Sequence, residues 1–258
     1  MIQDVFKPAS LSEAVRLHKE EAAPYLAGGT YVNWAGSGIR PEKVVLLEGL
    51  LPDEVRQKEG RMEIGAGITL QALVDTPAVP EPLRRAAGFV YSRCIRTMAT
   101  LGGAIGANRT DSSVIPALIA LKARIRTAEG TEMPVEDYLD QGAEGLIAWV
   151  VLSEVAEACV VDRAVLSAAA YPSVTLAVRV GKDEAVIAVG CVADRVVRLT
   201  TVEKRILSGA LATEEEVFEA VYAAVDPPDG LKESRAYRKY IAAVKVARAV
   251  MECKGLAS

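Results

Sequence analysis

The chain has 258 residues, about half apolar and a quarter charged, with a formal net charge of −4, enough for one large domain or two to three small ones and a sizeable core. The acidic balance, with no basic run or aromatic–basic stripe, argues against a nucleic-acid partner. No apolar stretch is long enough to span a membrane and residues 1–8 lack a signal-peptide pattern, so a cytoplasmic protein without membrane attachment is expected.

Along the chain, Ser10-x-x-Glu13 opens a helix over about 10–20, followed by a short strand at Tyr25–Ala27, a glycine loop and a strand at Val44–Leu47. The polar stretch 48–59 reads as an internal boundary. A second unit starts with the strand Arg61–Gly65 and has helices near Thr69–Val74 and Pro82–Gly88. Pro116–Leu121 reads as a buried helix, 124–128 with 131–135 as a hairpin, and Glu144–Leu152 as an apolar strand. Beyond it, Ala164–Ala170, Val174–Val180 and Ala185–Val192 read as an antiparallel meander. Helices follow over Thr201–Ser208, Thr213–Val225 and Ser234–Lys254.

Four scattered cysteines without a Cys-x-x-Cys pair exclude the usual local spacing of zinc or iron–sulfur ligands. The lone His18 sits on a helix and reads as structural, which disfavours histidine triads and multi-histidine metal sites. Gly65-Ala-Gly67 follows a strand but lacks the third glycine and the downstream acid of a dinucleotide fingerprint, so it reads as a strand-to-helix turn. No P-loop is present. Two loops stand out, Tyr25-Leu-Ala-Gly-Gly-Thr30 and Thr100-Leu-Gly-Gly-Ala-Ile-Gly106. Adjacent glycines let backbone N–H groups converge on an anion, and two such loops suggest a clamp on a ligand with more than one phosphate. Arg84, Arg85, Arg93, Arg96 and Arg109 bracket the second loop, where guanidinium groups would offset pyrophosphate charge; the bland reading makes most of them surface charges.

Ala27-Gly-Gly-Thr30, Arg40–Leu47, Glu63–Leu70, Ile95-Arg-Thr-Met-Ala-Thr-Leu-Gly-Gly103, Pro116–Leu121 and Ser234–Tyr240 form an ordered set over nearly the whole chain. In that order they resemble the FAD-binding subunit of molybdenum hydroxylases, the xanthine dehydrogenase and carbon monoxide dehydrogenase group. The resemblance implies an α+β fold: two α/β subdomains (1–55 and 56–158) sandwiching FAD, then a C-terminal domain (159–258) of antiparallel sheet and helices.

By the same resemblance the first loop, Leu26, Ala27, Gly28, Gly29, Thr30 and Tyr31, wraps the pyrophosphate. Thr100, Gly102, Gly103 and Ala104 add backbone and hydroxyl contacts. Ser113 stands where an aspartate contacts the flavin's sugar-like chain, with Asp111 two residues earlier as its replacement if the loop shifts; Arg163 stands near a basic residue by the flavin, and Tyr171 by the ring. The chain departs from the pattern at Tyr31, where an acidic residue is common, at Ala104, where asparagine is usual, and at Ser113. The implied function is electron transfer: substrate is oxidised at a molybdenum-cofactor subunit, and electrons pass through a [2Fe–2S] subunit to FAD and on to an acceptor such as NAD. No side chain of this chain is expected to act as acid, base or nucleophile. The departures motivate a competing reading, an FAD-free assembly or scaffold subunit. A free-standing nucleotide-binding oxidoreductase is disfavoured, because no acid–base cluster is visible.

Overall fold

The computed structural model describes residues 2–153, 158–229 and 233–256. In chain order the elements are β1 (Asp4–Phe6), α1 (Leu11–Glu21), β2 (Tyr25–Leu26), β3 (Lys43–Leu46), β4 (Val55–Lys58), β5 (Arg61–Gly65), α2 (Leu70–Asp75), α3 (Glu81–Gly88) and α4 (Arg93–Arg96). Then come α5 (Leu101–Gly106), α6 (Val114–Ala120), β6 (Arg124–Thr127), β7 (Glu132–Pro134), α7 (Val135–Asp140) and β8 (Ile147–Leu152). The remainder is β9 (Cys159–Ala164), β10 (Val174–Val180), β11 (Ala185–Gly190), β12 (Val197–Arg198), α8 (Thr200–Leu207), α9 (Glu214–Ala224) and α10 (Arg235–Leu256). The fold is α+β. It divides into two compact units whose segments interleave along the chain: Met1–Val79, Ser92–Ala107 and Ala123–Ser153 form one, and Pro80–Tyr91, Asn108–Lys122 and Glu154–Ser258 the other.

The first unit holds two sheets. A small parallel sheet, ordered β1-β3-β2, is covered by α1, whose Ala14 and Val15 pack with Val45 and Leu47. Ser10 caps α1 by accepting a hydrogen bond from the Glu13 N–H at 3.2 Å, and Glu13 reaches back to the Ala9 N–H at 2.8 Å. The second sheet is antiparallel, ordered β4-β5-β8-β6-β7. Its alternation sends Met62, Ile64, Ile125, Val150 and Leu152 to a buried face. The opposite face carries a charged network around Glu63, which is only 1% exposed.

Glu63 accepts hydrogen bonds from Arg126 at 2.6 Å and from Arg56 at 2.8 and 2.9 Å. Arg126 also holds Glu132, which receives Arg61 and Arg124, and Arg56 lies 3.8 Å above the Trp149 ring. A carboxylate this buried survives in charged form only because cations surround it. Burial alone would push its pKa up, but the hydrogen bonds and charges of Arg126 and Arg56 outweigh that and hold it below the ordinary carboxylate value.

The second unit is built on an antiparallel meander ordered β12-β11-β10-β9. Val174, Leu176, Val178 and Val180 of β10 join a core with Ala243, Val246 and Val250 of α10 and with Val217 and Val221 of α9. Thr175, on the other face of β10, donates its hydroxyl proton to the Ser112 carbonyl just before α6. Every residue of β11 is buried, as a strand covered on both faces requires. Thr213 and Glu216 form a complete capping box at the start of α9.

The sequence expectation differs from the structure in a few places. The strand expected at 164–170 is β9, six residues in Cys159–Ala164, and 167–170 is a turn in which the Ala170 N–H donates to Ser167. The Ser-Ala-Ala-Ala run has little strand preference, whereas Cys-Val-Val alternates against β10. The polar boundary at 48–59 contains β4, an edge strand joined to β5 by Glu59 and Gly60, both at positive φ. The short elements β1, α4 and α7 carry too few apolar residues to announce themselves.

The charged network has a pH signature. Its native pKa values lie below the unfolded ones, so Glu63 and Glu132 contribute stability that is fully present above the ordinary carboxylate value of 4.5 and disappears as pH falls through the depressed native values. Urea unfolding from pH 7 down to 3 is expected to show wild-type stability falling, with Glu63→Gln less stable at pH 7 and less steeply pH-dependent. Parallel curves for the two proteins would remove the network from the stability account.

Candidate functional site: a stacked set of glycine turns

Tyr25 and Leu26 pair in parallel with Val45 and Leu46, and the chain then leaves the sheet edge as Ala27-Gly-Gly-Thr30. Gly29 takes φ of +66°, a conformation other residues adopt at a cost. Below it the loop closes on itself, with Asn33 N–H donating to Gly29 at 3.0 Å and Trp34 N–H to Tyr31 at 3.1 Å. Gly28 is glycine for a different reason. A Cβ at 28 would lie 1.8 Å from the carbonyl oxygen of Met98, so the two backbones are in direct contact.

Met98 belongs to the approach to the second loop, which is itself fastened to the turn at 65–70. Leu70 N–H donates to Ala99 at 2.8 Å, Leu101 N–H to Ile68 at 2.9 Å, and Gly102 N–H to Ala66 at 2.8 Å, with Thr69 bridged to Thr100. A Cβ at Gly102 would lie 2.9 Å from that of Ala66, and one at Gly65 would lie 2.2 Å from the Pro52 carbonyl oxygen. Gly65-Ala-Gly67 is thus a strand-to-helix turn between β5 and α2, capped by Thr69, whose hydroxyl accepts from the Ala72 N–H. In all, the turns around 28, 66 and 102 pack backbone on backbone.

The two loops differ in what their amides do. Among the described residues, the backbone N–H groups of Ala27, Gly28, Gly29 and Thr30 have no protein acceptor, although the loop is half-buried. Among the described residues no protein group hydrogen-bonds the Thr30 hydroxyl. Unengaged amides next to adjacent glycines are the kind of group that can bind phosphate oxygens. In the second loop, by contrast, Leu101 and Gly102 donate to the 66–68 turn, Gly103 donates to the Thr100 hydroxyl oxygen at 3.1 Å, and Ala104 donates to the Thr100 carbonyl at 2.9 Å. Thr100 is the N-cap of α5, and its hydroxyl retains its proton for donation.

The remaining expected residues lie in the second unit. Asp111 is gripped by Arg109 through both oxygens, at 2.7 and 2.5 Å, and the Arg109 guanidinium stands 5.9 Å from the Tyr171 ring centroid. Ser113 precedes α6, and its hydroxyl makes no cap; Ser112 supplies that by accepting from the Ile115 N–H. Arg163 on β9 points at Phe89, donating to its carbonyl at 2.6 Å with the guanidinium 4.8 Å above the ring. Burial lowers the Arg163 pKa, partly offset by Asp162. The 108–113 segment is tied to the sheet by Thr110, whose hydroxyl donates to Ala193 and whose carbonyl accepts the Cys191 N–H at 2.9 Å.

Among the described residues no group of three or more His, Cys, Asp and Glu side chains is placed to hold a metal, and no helix is long and apolar enough to cross a membrane. His18 stacks on Tyr25 at 4.3 Å and binds the Ala23 carbonyl, a structural role. Burial pushes the Cys159 and Cys191 thiols up to about 12, which keeps them protonated and unreactive. Sequence reasoning did not anticipate Met98, Ala66 and Gln71 as supports of the loops. The only trace was the small-residue run Gly65-Ala-Gly67, where backbones can approach.

Residues 1–155 match the family described as the FAD binding domain in molybdopterin dehydrogenase. The chain belongs to that family, whose domain binds FAD. A curated relative, the uncharacterized protein YgfM of Escherichia coli (strain K12), is 33% identical over 98% of this chain and 97% of its own length. Among solved structures, carbon monoxide dehydrogenase from Hydrogenophaga pseudoflava has a chain with a TM-score of 0.86 at 19% identity, over 100% of this chain and 99% of that one. Quinoline 2-oxidoreductase from Pseudomonas putida 86 has one with a TM-score of 0.83 at 20% identity and the same coverage. At such low identity these two similarities establish the shared fold.

Gly28→Ala must push the Met98 carbonyl aside and is expected to cost about 1–3 kcal/mol, the usual range for overpacking. Gly106→Ala, where an added Cβ meets nothing within 4 Å, serves as the control and is expected to be neutral or stabilising by up to about 1 kcal/mol. Urea unfolding of the two variants checks this, and equal stabilities would refute the contact.

Proposed function

We propose that this chain is the FAD-binding, electron-transfer subunit of a multi-subunit molybdenum hydroxylase in the cytoplasm. Its partners in this reading are a molybdenum-cofactor subunit, where substrate is oxidised, and a [2Fe–2S] subunit that delivers the electrons, with NAD as the acceptor class. The observation that carries it is the run of half-buried amides at Ala27–Thr30 without protein acceptors, on a backbone that only glycine at 28 allows. That cradle fits a diphosphate, and the family supplies the rest of the ligand's identity.

FAD when bound supplies one-electron uptake and two-electron release. The chain's own residues bind and orient. Ala27, Gly28, Gly29 and Thr30 donate amide protons to phosphate oxygens, with Leu26 and Tyr31 closing the two ends of the loop. Thr100 donates its hydroxyl proton, while Gly102, Gly103 and Ala104 form a wall whose amides are already engaged. Asp111, Ser113, Arg163 and Tyr171 are assigned to the flavin end by family position, and the three-part division 1–55, 56–158 and 159–258 belongs to the same reading. Of these, Ser113 offers an unengaged hydroxyl, whereas Asp111 must share its carboxylate with Arg109.

One observation favours the alternative of an FAD-free assembly subunit: the amides of 101–104 all donate to protein groups, and Ala104 has no side-chain donor to replace them. A single preparation separates the two readings. The purified chain is expected to show a flavin absorption spectrum and to release FAD on denaturation, or to take it up with quenching of flavin fluorescence. Gly28→Val is expected to lose it, and Thr100→Val to weaken it. A chain that binds no FAD at saturating concentration would leave the assembly reading standing.

A further inference from the structure

The first loop rests on the Met98 carbonyl, yet Met98 is 56% exposed and so has little packing of its own to hold that carbonyl. The position of the peptide has to come from its neighbours. On the C-terminal side the hydrogen bonds from Leu70, Leu101 and Gly102 fasten residues 99–102 to the 66–70 turn. On the N-terminal side Met98 and Ala99 hang from the last turn of α4, both donating to the Ile95 carbonyl. Helix α4 is only four residues long, which is too short to hold itself in place.

One side-chain relay ties α4 down. The Arg96 Nε–H donates to the side-chain oxygen of Gln71 at 2.9 Å, and the Gln71 amide nitrogen donates to both oxygens of Asp75 at 2.9 and 3.0 Å. Gln71 is 6% exposed, the only buried amide side chain among the described residues, and it is satisfied at both ends. A buried amide fixed by a cation on one side and a carboxylate on the other has a single orientation. That contact is the first in a row with the three backbone hydrogen bonds at 99–102, at the end nearest Met98.

We propose that Gln71 and Arg96 are positioning residues for the first glycine loop: the Arg96–Gln71–Asp75 relay sets the height of the Met98 carbonyl and thereby the direction of the Ala27–Thr30 amides. The proposal rests on the FAD reading for its ligand, but its mechanical part does not. The donor at 96 is the Nε–H of a planar guanidinium, whereas a lysine ammonium sits at the end of a flexible stem, so lysine is expected to hold Gln71 less well.

The test uses the full chain. Gln71→Leu, Arg96→Met and Arg96→Lys are compared with wild type and with Val150→Ala, a core variant in the five-stranded sheet that lowers stability without touching the relay. Amide hydrogen exchange at Asn33 and Trp34, whose N–H groups close the first loop in the ligand-free chain, is expected to rise about fivefold in the three relay variants and not in Val150→Ala. Dissociation constants for FAD, and for ADP as a diphosphate probe, are expected to rise about tenfold in the same three. Unchanged exchange at Asn33 and Trp34, exchange raised equally by Val150→Ala, or an Arg96→Lys variant that behaves as wild type would each overturn the proposal. If wild type binds neither FAD nor ADP while exchange still rises in the relay variants, the cofactor reading fails and the positioning role stands.

Discussion

The contact between Gly28 and the Met98 carbonyl is the constraint on which the rest of the site depends. Two backbones that close cannot be separated by any side chain, so the residue at 28 is fixed by sterics before any ligand is considered. The same logic repeats at Gly102 against Ala66 and at Gly65 against Pro52, which makes the first unit a stack of glycine turns rather than a set of independent loops. Such packing leaves little room for adjustment. It converts the antiparallel sheet, through β5 and its turn, into a rigid support for a loop at the edge of the small parallel sheet.

Chemistry follows from which hydrogen-bonding groups that stack consumes. The second segment spends its amides on holding the stack together, whereas the amides of 27–30 have no protein acceptor among the described residues. The arginines obey a similar division. Arg96 secures Gln71, Arg109 secures Asp111, Arg163 secures the Phe89 carbonyl, and Arg126 secures Glu63, so the guanidinium groups act as internal ties. In the proposed reading, backbone dipoles at 27–30 meet the anionic ligand, and they need no side chain and cost no reorganisation when it arrives.

Much of the fold was legible in the sequence where pattern and burial coincide. β5, β10, the hairpin of β6 and β7, and the helices α1, α9 and α10 have clean periodicity or capping pairs such as Ser10/Glu13 and Thr213/Glu216. Elements whose stability is borrowed from a partner were not legible: β4 is polar and owes its place to Glu63 and Trp149, and α4 is held by a glutamine from another helix. Of the candidate site, both Gly-Gly segments stand out in one dimension beside threonine, but the second, expected as a loop, is the helix α5 with Thr100 as its N-cap. The difference between them could not be read there, because whether an amide is engaged depends on Ile68 and Ala66, some thirty residues upstream. The glycine at 28 likewise reads the same in sequence whether it serves a ligand or a neighbouring carbonyl.

The most direct measurement is the response of individual amides to ligand. In ¹H–¹⁵N spectra of the full chain titrated with FAD, the largest shifts are expected at Ala27, Gly28, Gly29 and Thr30, reproduced in part by ADP, with the Leu101 and Gly102 amides moving little. Shifts concentrated at 101–104 with 27–30 unmoved would contradict this expectation, because the phosphates would then lie against the loop whose amides are already bound.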